Sequence, residues 1–257
     1  MNCIVTAGPT FEPLDDVRRL TNFSTGRLGT ELANYLAARG HSVMLLLGEQ
    51  ATYTGERRAK RVEFFSTTAD LRAKLKALSA RKADAIFHAA AVSDFSFGRV
   101  FACQSAFDPS RIAPSTQPSP PMGEKVSAGR MRGKSGRSGG DSVIADAANK
   151  LAEIKGRKIS TRQGKLLVEL LPTPKIIAEL RGWFPRAKIV GWKFEADGKR
   201  ADAIAAARRQ LAECVTDLCV VNGPAYGEGF GLLGRKGEPA HLPNPPVLFD
   251  ALEKFVR

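Results

Sequence analysis

The chain has 257 residues, 43% of them hydrophobic, and a formal net charge of +13. This length can bury one sizeable core, and no stretch approaches the roughly 20 consecutive apolar residues of a membrane helix. With no charged-then-apolar leader at its start, the chain is expected to be a cytoplasmic protein with no membrane segment. The four cysteines lack CxxC spacing, so reduced thiols are expected rather than a zinc site or a disulfide framework.

Short apolar runs alternate with helical patterns along the chain, which is typical of a parallel sheet with helices on both faces. The predicted strands are residues 3–7, 42–47, 62–66, 85–89, 188–192 and 218–221. The predicted helices are residues 28–39, 68–80, 173–183, 199–214 and 247–256, and Thr173 with Pro174 provides the start signal of the third. We predict a single domain of the α/β class, with a Rossmann-like, doubly wound, mainly parallel sheet.

Residues 102–140 interrupt this alternation, because they are rich in Pro, Ser, Gly and Arg and have almost no periodic apolar positions. We interpret them as a mobile insertion, with a lid over a neighbouring site as the alternative. Between residues 99 and 141 there are seven basic and three acidic side chains. Aromatic residues do not interleave with this basic run, so nucleic-acid binding is only a minor alternative.

Ligands of open α/β sheets bind beyond the carboxyl ends of the strands, and the first such connection spans residues 6–29. Its small and hydroxylated residues before a helix, including Gly8, Ser24, Gly26 and Gly29, leave N–H groups that can approach a phosphate. The connection has no GxGxxG turn, so it is not a standard dinucleotide fingerprint. A glycine-containing turn with a serine cap is an equally good interpretation of these residues alone.

Three later segments add candidate ligand contacts. Ala89 and Ala90 follow the fourth strand and allow a flat ligand to lie on the backbone, while Asp94 can bind Mg²⁺ or a base amino group. Lys158 can neutralise a triphosphate, although a solvated basic turn is the simpler interpretation. The ends of the last two strands offer Lys193, Phe194 and Asn222 as a wall that stacks a base and anchors its ribose, or as ordinary exposed strand ends.

No Ser-His-Asp, Cys-His or HExxH arrangement accompanies these segments, and the chain has only three histidines. A covalent or zinc hydrolase is therefore excluded as the leading interpretation. Catalysis that relies on positioning the substrates and stabilising the charge that develops on them is favoured instead.

Taken in order, these segments resemble the phosphopantothenate-cysteine ligase family of coenzyme A biosynthesis. The resemblance is carried by residues 6–18, 21–29, 89–95, 158–159, 191–195 and 220–222. It implies that a nucleoside triphosphate with Mg²⁺ activates the carboxylate of 4'-phosphopantothenate as an acyl-nucleotide, which the cysteine amine then attacks. It also implies a homodimer. CTP is favoured over ATP by the bacterial style of the first motif.

The resemblance also implies roles for single residues. Asn22 and Lys158 are the expected catalytic residues, Lys158 on a flap that reads Lys-Ile-Ser-Thr where the family usually has Lys-Ile-Lys-Lys. Asp94 is the expected metal ligand, and Arg18, Asn22 and Asn222 are the expected substrate-binding residues. The expected nucleotide-binding residues are Gly8, Ser24, Gly26, Gly29, Ala89, Ala90, Asp94, Phe95, Lys193 and Phe194.

Two rival functions remain. A nucleotide-binding oxidoreductase shares the sheet pattern but is disfavoured by the missing GxGxxG turn. A non-catalytic module for phosphorylated metabolites or nucleic acid is suggested by the net charge of +13.

Overall fold

The structure is a computed structural model that describes residues 1–103, 151–160, 162 and 164–257. The insertion predicted at residues 102–140 lies outside the described residues except for its first two. Contacts divide the described chain into two compact units, one of Met1–Phe97 with Leu170–Arg257 and one of Gly98–Glu169. Whether one domain extends over the whole chain stays a prediction.

The described strands and helices alternate along most of the chain. The strands are β1 (Asn2–Ala7), β2 (Phe11–Pro13), β3 (Arg19–Thr21), β4 (Ser42–Gly48), β5 (Arg61–Phe65), β6 (Ala85–His88), β7 (Phe95–Cys103), β8 (Leu151–Glu153), β9 (Leu166–Pro172), β10 (Lys188–Phe194), β11 (Leu218–Asn222), β12 (Phe230–Gly234) and β13 (Ala240–Leu242). The helices are α1 (Arg27–Ala38), α2 (Thr68–Leu78), α3 (Ile176–Trp183), α4 (Arg200–Glu213) and α5 (Pro245–Val256).

An eight-stranded sheet in the order β13-β12-β11-β10-β6-β1-β4-β5 forms the centre of the first unit. The six strands from β11 to β5 pair in parallel, whereas β12 and β13 add antiparallel pairs at one edge. Alternate residues of β1 point to opposite faces: Val5 packs with Leu32 of α1, while Ile4 packs with Leu71 of α2. Helices therefore cover both faces, which confirms the predicted α/β class and its mainly parallel sheet.

The strands of the second unit belong to a three-stranded sheet in the order β8-β7-β9. β7 and β8 run antiparallel, with Phe101 opposite Glu153. The Arg99 backbone N–H and guanidinium both donate to Glu169, the N–H at 3.0 Å.

Several predicted boundaries were wrong. The third helix begins at Ile176 rather than at Thr173, because the Thr173 N–H donates to the Asp94 carbonyl and its hydroxyl donates to the Ser93 carbonyl. The hairpins β2–β3 and β12–β13 were not predicted at all. Three of these four strands span only three residues, too few for an alternating pattern to emerge.

None of the helices in the described part of the chain has the length and apolar character needed to cross a membrane. Cys3, Cys214 and Cys219 are free and buried. Burial raises the pKa of Cys3 to about 11 and that of Cys219 to about 12, so both stay protonated thiols at neutral pH.

Candidate functional site

A cavity of about 840 Å³ opens in the first unit at the carboxyl ends of β1, β6, β10 and β11. The N-termini of α1 and α3 border it as well. Most residues predicted for the site from sequence lie in its lining: Gly8, Asn22, Ser24, Gly26, Gly29, Ala89, Ala90, Asp94, Lys193, Phe194 and Asn222. The structure thus brings these residues to one place, while the role of each stays a prediction.

Helix α1 presents its N-terminus to the cavity. Gly26 is its N-cap with φ of 78°, the Thr25 Oγ1 accepts from the Arg27 N–H at 3.2 Å, and the first turn has no acidic residue. The first backbone N–H groups of a helix have no partner within the helix, and they carry the positive end of its dipole. This end of the cavity can therefore bind an anionic group such as a phosphate.

The glycines around α1 are required by packing as well. A Cβ on Gly29 would lie 2.6 Å from the Ala7 Cβ, so only glycine lets α1 approach β1 this closely. Gly26 has a positive φ, and a Cβ there would lie 2.9 Å from the Ala51 Cβ. The glycine pattern of the first motif therefore has a structural cause that holds with or without a ligand.

Asn22 connects two loops at the cavity. Its Nδ2 donates to the carbonyls of Ala91 and Val92, at 3.2 Å each, and so ties the segment before α1 to the loop after β6. Its Oδ1 has no hydrogen-bond partner among the described residues. The carboxamide is thereby held at the cavity, and its Oδ1 can still accept a hydrogen bond.

Buried hydrogen bonds hold the loop after β6 against β1. The Thr6 Oγ1 lies 2.9 Å from the His88 Nδ1 and accepts from the Ala90 N–H at 3.1 Å. The Ser93 N–H donates to the Thr10 Oγ1 at 2.8 Å. Burial lowers the pKa of His88 to about 4, so this imidazole is neutral at pH 7 and adds no positive charge to the site.

Asp94 ends this loop with an exposed side chain, and its carboxylate has no hydrogen-bond or ion-pair partner in the described ranges. Its backbone carbonyl accepts from the Thr173 N–H at 3.0 Å. Within the described part of the chain, no group of three or more His, Cys, Asp or Glu side chains could hold a metal ion. A cation at Asp94 would therefore draw its other ligands from elsewhere.

The wall on the β10 side offers side chains rather than backbone. Lys193 forms an ion pair with Glu195, Nζ to Oε1 at 3.0 Å, and the Phe194 ring is 64% exposed. Large exposed aromatic rings at a cavity are candidates for stacking on a ligand. Asn222 follows on the neighbouring strand, directly opposite Phe194.

Three predicted site residues lie outside this lining. Arg18 belongs to the turn of the β2–β3 hairpin and forms an ion pair with Asp15 at 2.5 Å. Phe95 begins β7 and is 43% exposed. Lys158 belongs to the second unit, and its catalytic role stays a prediction.

Sequence reasoning missed several lining residues, among them Lys175, Ile177 and Gln210. Lys175 and Ile177 follow the Thr173-Pro174 signal, which by itself indicates only the start of a helix. Gln210 lies in the last turn of α4, far from any strand end, and nothing in the local sequence distinguishes it from a solvated helix position.

Residues 1–104 match a family model described as the DNA/pantothenate metabolism flavoprotein C-terminal domain. The coenzyme A biosynthesis bifunctional protein CoaBC of Thermococcus kodakarensis is 28% identical over 219 residues, which is 85% of this chain and 40% of that protein. The chain is similar to this family. It spans well under half the length of that curated relative.

Solved structures share the fold. The DNA/pantothenate metabolism flavoprotein from Streptococcus pneumoniae superimposes with a TM-score of 0.71 at 20% identity, covering 100% of this chain and 98% of that one. A mutant of Cab2 in complex with phosphopantothenate-cysteine gives a TM-score of 0.59 at 19% identity, covering 99% of this chain and 87% of that one. At these identities the likeness shows the fold alone.

Proposed function

We propose that this chain is a ligase that joins 4'-phosphopantothenate to cysteine and consumes CTP or ATP. The observation that carries the proposal is the cavity, in which the N-terminus of α1, Asn22 and the loop after β6 meet at one edge of the sheet. All three lie within residues 1–104, the segment that matches the family model. The names of the similar proteins, coenzyme A biosynthesis for one and a phosphopantothenate-cysteine complex for another, agree with it.

The reaction has two steps. A carboxylate oxygen of phosphopantothenate attacks the α-phosphorus of the nucleotide, and pyrophosphate leaves with the electrons of the broken P–O bond. The cysteine amine then attacks the acyl carbon, loses a proton and expels the nucleoside monophosphate. Neither step needs a protein nucleophile, in keeping with the neutral His88, whose Nδ1 lies against the Thr6 hydroxyl, and with the Ser93 hydroxyl, which donates to the Phe95 carbonyl.

The residues of the chain would act by holding and orienting. The N–H groups at the start of α1 would bind a phosphate of one substrate, because the helix dipole favours an anion there. Asn22 would orient the reacting acyl group, since its carboxamide is fixed by the loop after β6. On the opposite wall, Phe194 would stack on the base and Asn222 would contact the substrate.

Mg²⁺ fits the residues present, because it prefers oxygen ligands and commonly binds through one carboxylate together with phosphate oxygens. The Asp94 carboxylate would supply the protein ligand. When bound, Mg²⁺ neutralises charge on the triphosphate.

We also propose a homodimer. On the β2–β3 hairpin and the segment after it, Val17, Leu20 and Phe23 are exposed apolar side chains, and Phe23 is fully exposed. Exposed apolar side chains that lie together on a surface commonly mark an interface. Light scattering on the purified chain should give about twice the monomer mass of 27.7 kDa.

One assay tests the ligase. Purified protein supplied with phosphopantothenate, cysteine, Mg²⁺ and either CTP or ATP should release pyrophosphate, and omission of the carboxylate substrate should abolish the release. If no pyrophosphate is released with either CTP or ATP, the proposal is overturned. Release of pyrophosphate without phosphopantothenate would indicate a different acceptor.

A further inference from the structure

Gln210 enters the cavity from α4, the helix that packs on β11 through Ala203, Ala207 and Leu211. Its Nε2 lies over Gly191 of β10, where an added Cβ would come within 2.7 Å of that nitrogen and 2.6 Å of the Ile177 Cδ1. The glycine therefore leaves the space that the carboxamide and the Ile177 side chain occupy. Gln210 is partly buried and belongs to the cavity lining.

Cys219 fixes the orientation of this carboxamide. The Gln210 Nε2 donates to the Cys219 Sγ at 3.3 Å, and the thiol in turn lies 3.8 Å from the Val220 carbonyl. Because burial raises the pKa of Cys219 to about 12, the thiol keeps its proton for that carbonyl and accepts from the carboxamide. The amide nitrogen thus points at the sheet.

The carbonyl oxygen of Gln210 is left as a free acceptor. Oε1 makes no hydrogen bond within the described residues, and it is not among the buried side-chain atoms that lack a partner there. It is therefore accessible to water, and to a ligand that replaces the water.

The position of Gln210 suits one end of an elongated ligand. In the sheet order, β10 lies two strands and β11 three strands from β1, which leads into α1. At the usual spacing between strands this separates the two ends by roughly 10–15 Å across the sheet, and Gly191 faces the side covered by α3 and α4, opposite to α1. Because the start of α1 and Gln210 line the same cavity at the carboxyl ends of the strands, a phosphate at the one and a base near the other could belong to one nucleotide.

We propose that Gln210 recognises the exocyclic group of the nucleotide base. It thereby selects adenine and cytosine, which carry an amino group at that position, over bases that carry a carbonyl at the same position. This inference rests on the proposed function, which supplies a nucleoside triphosphate as the ligand. An amino group donates to the Gln210 Oε1, whereas a carbonyl oxygen at the same place meets an acceptor and leaves both atoms unpaired. The fixed orientation matters, because a carboxamide free to flip would accept either kind of base.

Two matched nucleotide pairs test this on the full-length protein with Mg²⁺. ITP differs from ATP, and UTP from CTP, by a carbonyl in place of the amino group and by a proton on the adjacent ring nitrogen. Dissociation constants from isothermal titration calorimetry should be about tenfold or more weaker for ITP than for ATP and for UTP than for CTP, since a site that hydrogen-bonds one group rejects its replacement strongly.

Different variants test the acceptor atom of Gln210 and the contact with Cys219 that orients it. In Gln210→Ala the ratios of the dissociation constants, ITP to ATP and UTP to CTP, should both fall below about threefold, because the acceptor is gone. Cys219→Ala should relax the ratios although Gln210 remains, whereas Cys219→Ser, which keeps an acceptor for the carboxamide, should preserve them. Arg209→Ala, an exposed neighbour on α4, is the control and should bind like the wild type.

Equal affinity for ATP and ITP, or wild-type ratios in Gln210→Ala, would overturn the inference. The pyrophosphate assay keeps this outcome apart from the ligase itself. If the protein releases pyrophosphate but binds all four nucleotides equally well, only the role of Gln210 is refuted. If it distinguishes the nucleotides but releases no pyrophosphate, only the ligase activity is refuted. If none of the four nucleotides binds, both fail.

Discussion

The wall of the cavity around α1 and the wall formed by β10 and α4 hold their shapes by different contacts. Around α1 the geometry comes from the backbone, since Gly26 and Gly29 approach Ala51 and Ala7 too closely for any Cβ. Across the cavity, side chains such as Phe194 and Gln210 form the surface, and Phe194 is mostly exposed. Substitutions in the first wall should therefore damage folding, and those in the second should damage binding with little effect on stability.

The same difference in contacts explains why only the wall around α1 carries a recognisable motif. A backbone wall restricts the residue type at each position, so residues 21–29 form a specific pattern. The wall formed by β10 and α4, to which Ile177 of α3 also contributes, is assembled from elements that are distant in sequence, so no single stretch of sequence contains it. Only the fold brings Ile177 and Gln210 to the same glycine.

Gly29→Val should produce the largest effect on stability. Its Cβ would lie 2.6 Å from the Ala7 Cβ and 3.2 Å from the Thr6 carbonyl oxygen, neither of which can move without shifting β1. We expect a loss of roughly 3 kcal/mol or more in the free energy of unfolding, measured by urea denaturation. Gly182→Val in α3 is the matched control, because nothing lies within 4 Å of its added Cβ. Equal losses in the two variants would show that packing does not explain Gly29.

Asn22→Ala should reduce activity although Asn22 lies in the first wall. The substitution removes the two hydrogen bonds to the Ala91 and Val92 carbonyls and the oriented carboxamide. We expect kcat for pyrophosphate release to fall about a hundredfold, the typical cost of losing one orienting polar group.

Asn34→Ala is the control for Asn22, because its carboxamide also bonds to backbone, at Glu56 and Arg58, but outside the cavity lining. It should keep wild-type kcat. If the two variants show the same activity, Asn22 has no part in the reaction.

The fold and the first wall could be predicted from sequence because local patterns encode both. Buried parallel strands such as β4 are continuous apolar runs, and the glycines of the first motif report close backbone approaches. The hairpin β2–β3 escaped because each strand has three residues. Thr173 was assigned to a helix cap because its real partners, Ser93 and Asp94, lie about 80 residues away. Gln210 could not be found, since its partner Cys219 becomes a neighbour only through sheet packing.

His88 lies between the two walls, on β6, and should make stability depend on pH. Burial lowers its pKa from the ordinary value of 6.5 to about 4, so the folded state holds it neutral while the unfolded chain protonates below 6.5. This contribution to stability is fully present above pH 6.5 and is lost as the pH falls towards 4. Between pH 7 and pH 5 the loss should be about 2 kcal/mol.

Urea denaturation of the wild type and of His88→Asn at both pH values measures this loss. The variant has no imidazole to protonate, so its stability relative to the wild type should improve by about 2 kcal/mol at the lower pH. Parallel stability curves for the two proteins would mean that the imidazole is protonated in the folded state as easily as in the unfolded chain.

Phe194→Ala should have the smallest effect and is the direct test of the second wall. Its ring is 64% exposed, so the unfolding free energy should change by less than about 0.5 kcal/mol. Nucleotide binding should nevertheless weaken roughly tenfold, because stacking of a base on an aromatic ring contributes about 1–3 kcal/mol. Calorimetric titration with ATP and CTP measures the loss, and Phe194→Tyr, which keeps a stacking ring, should restore most of the affinity. Phe64→Ala, another exposed phenylalanine that lies outside the cavity lining, should bind like the wild type. If Phe194→Ala unfolds more easily but binds normally, the ring supports the fold, and the two walls are less different than their contacts indicate.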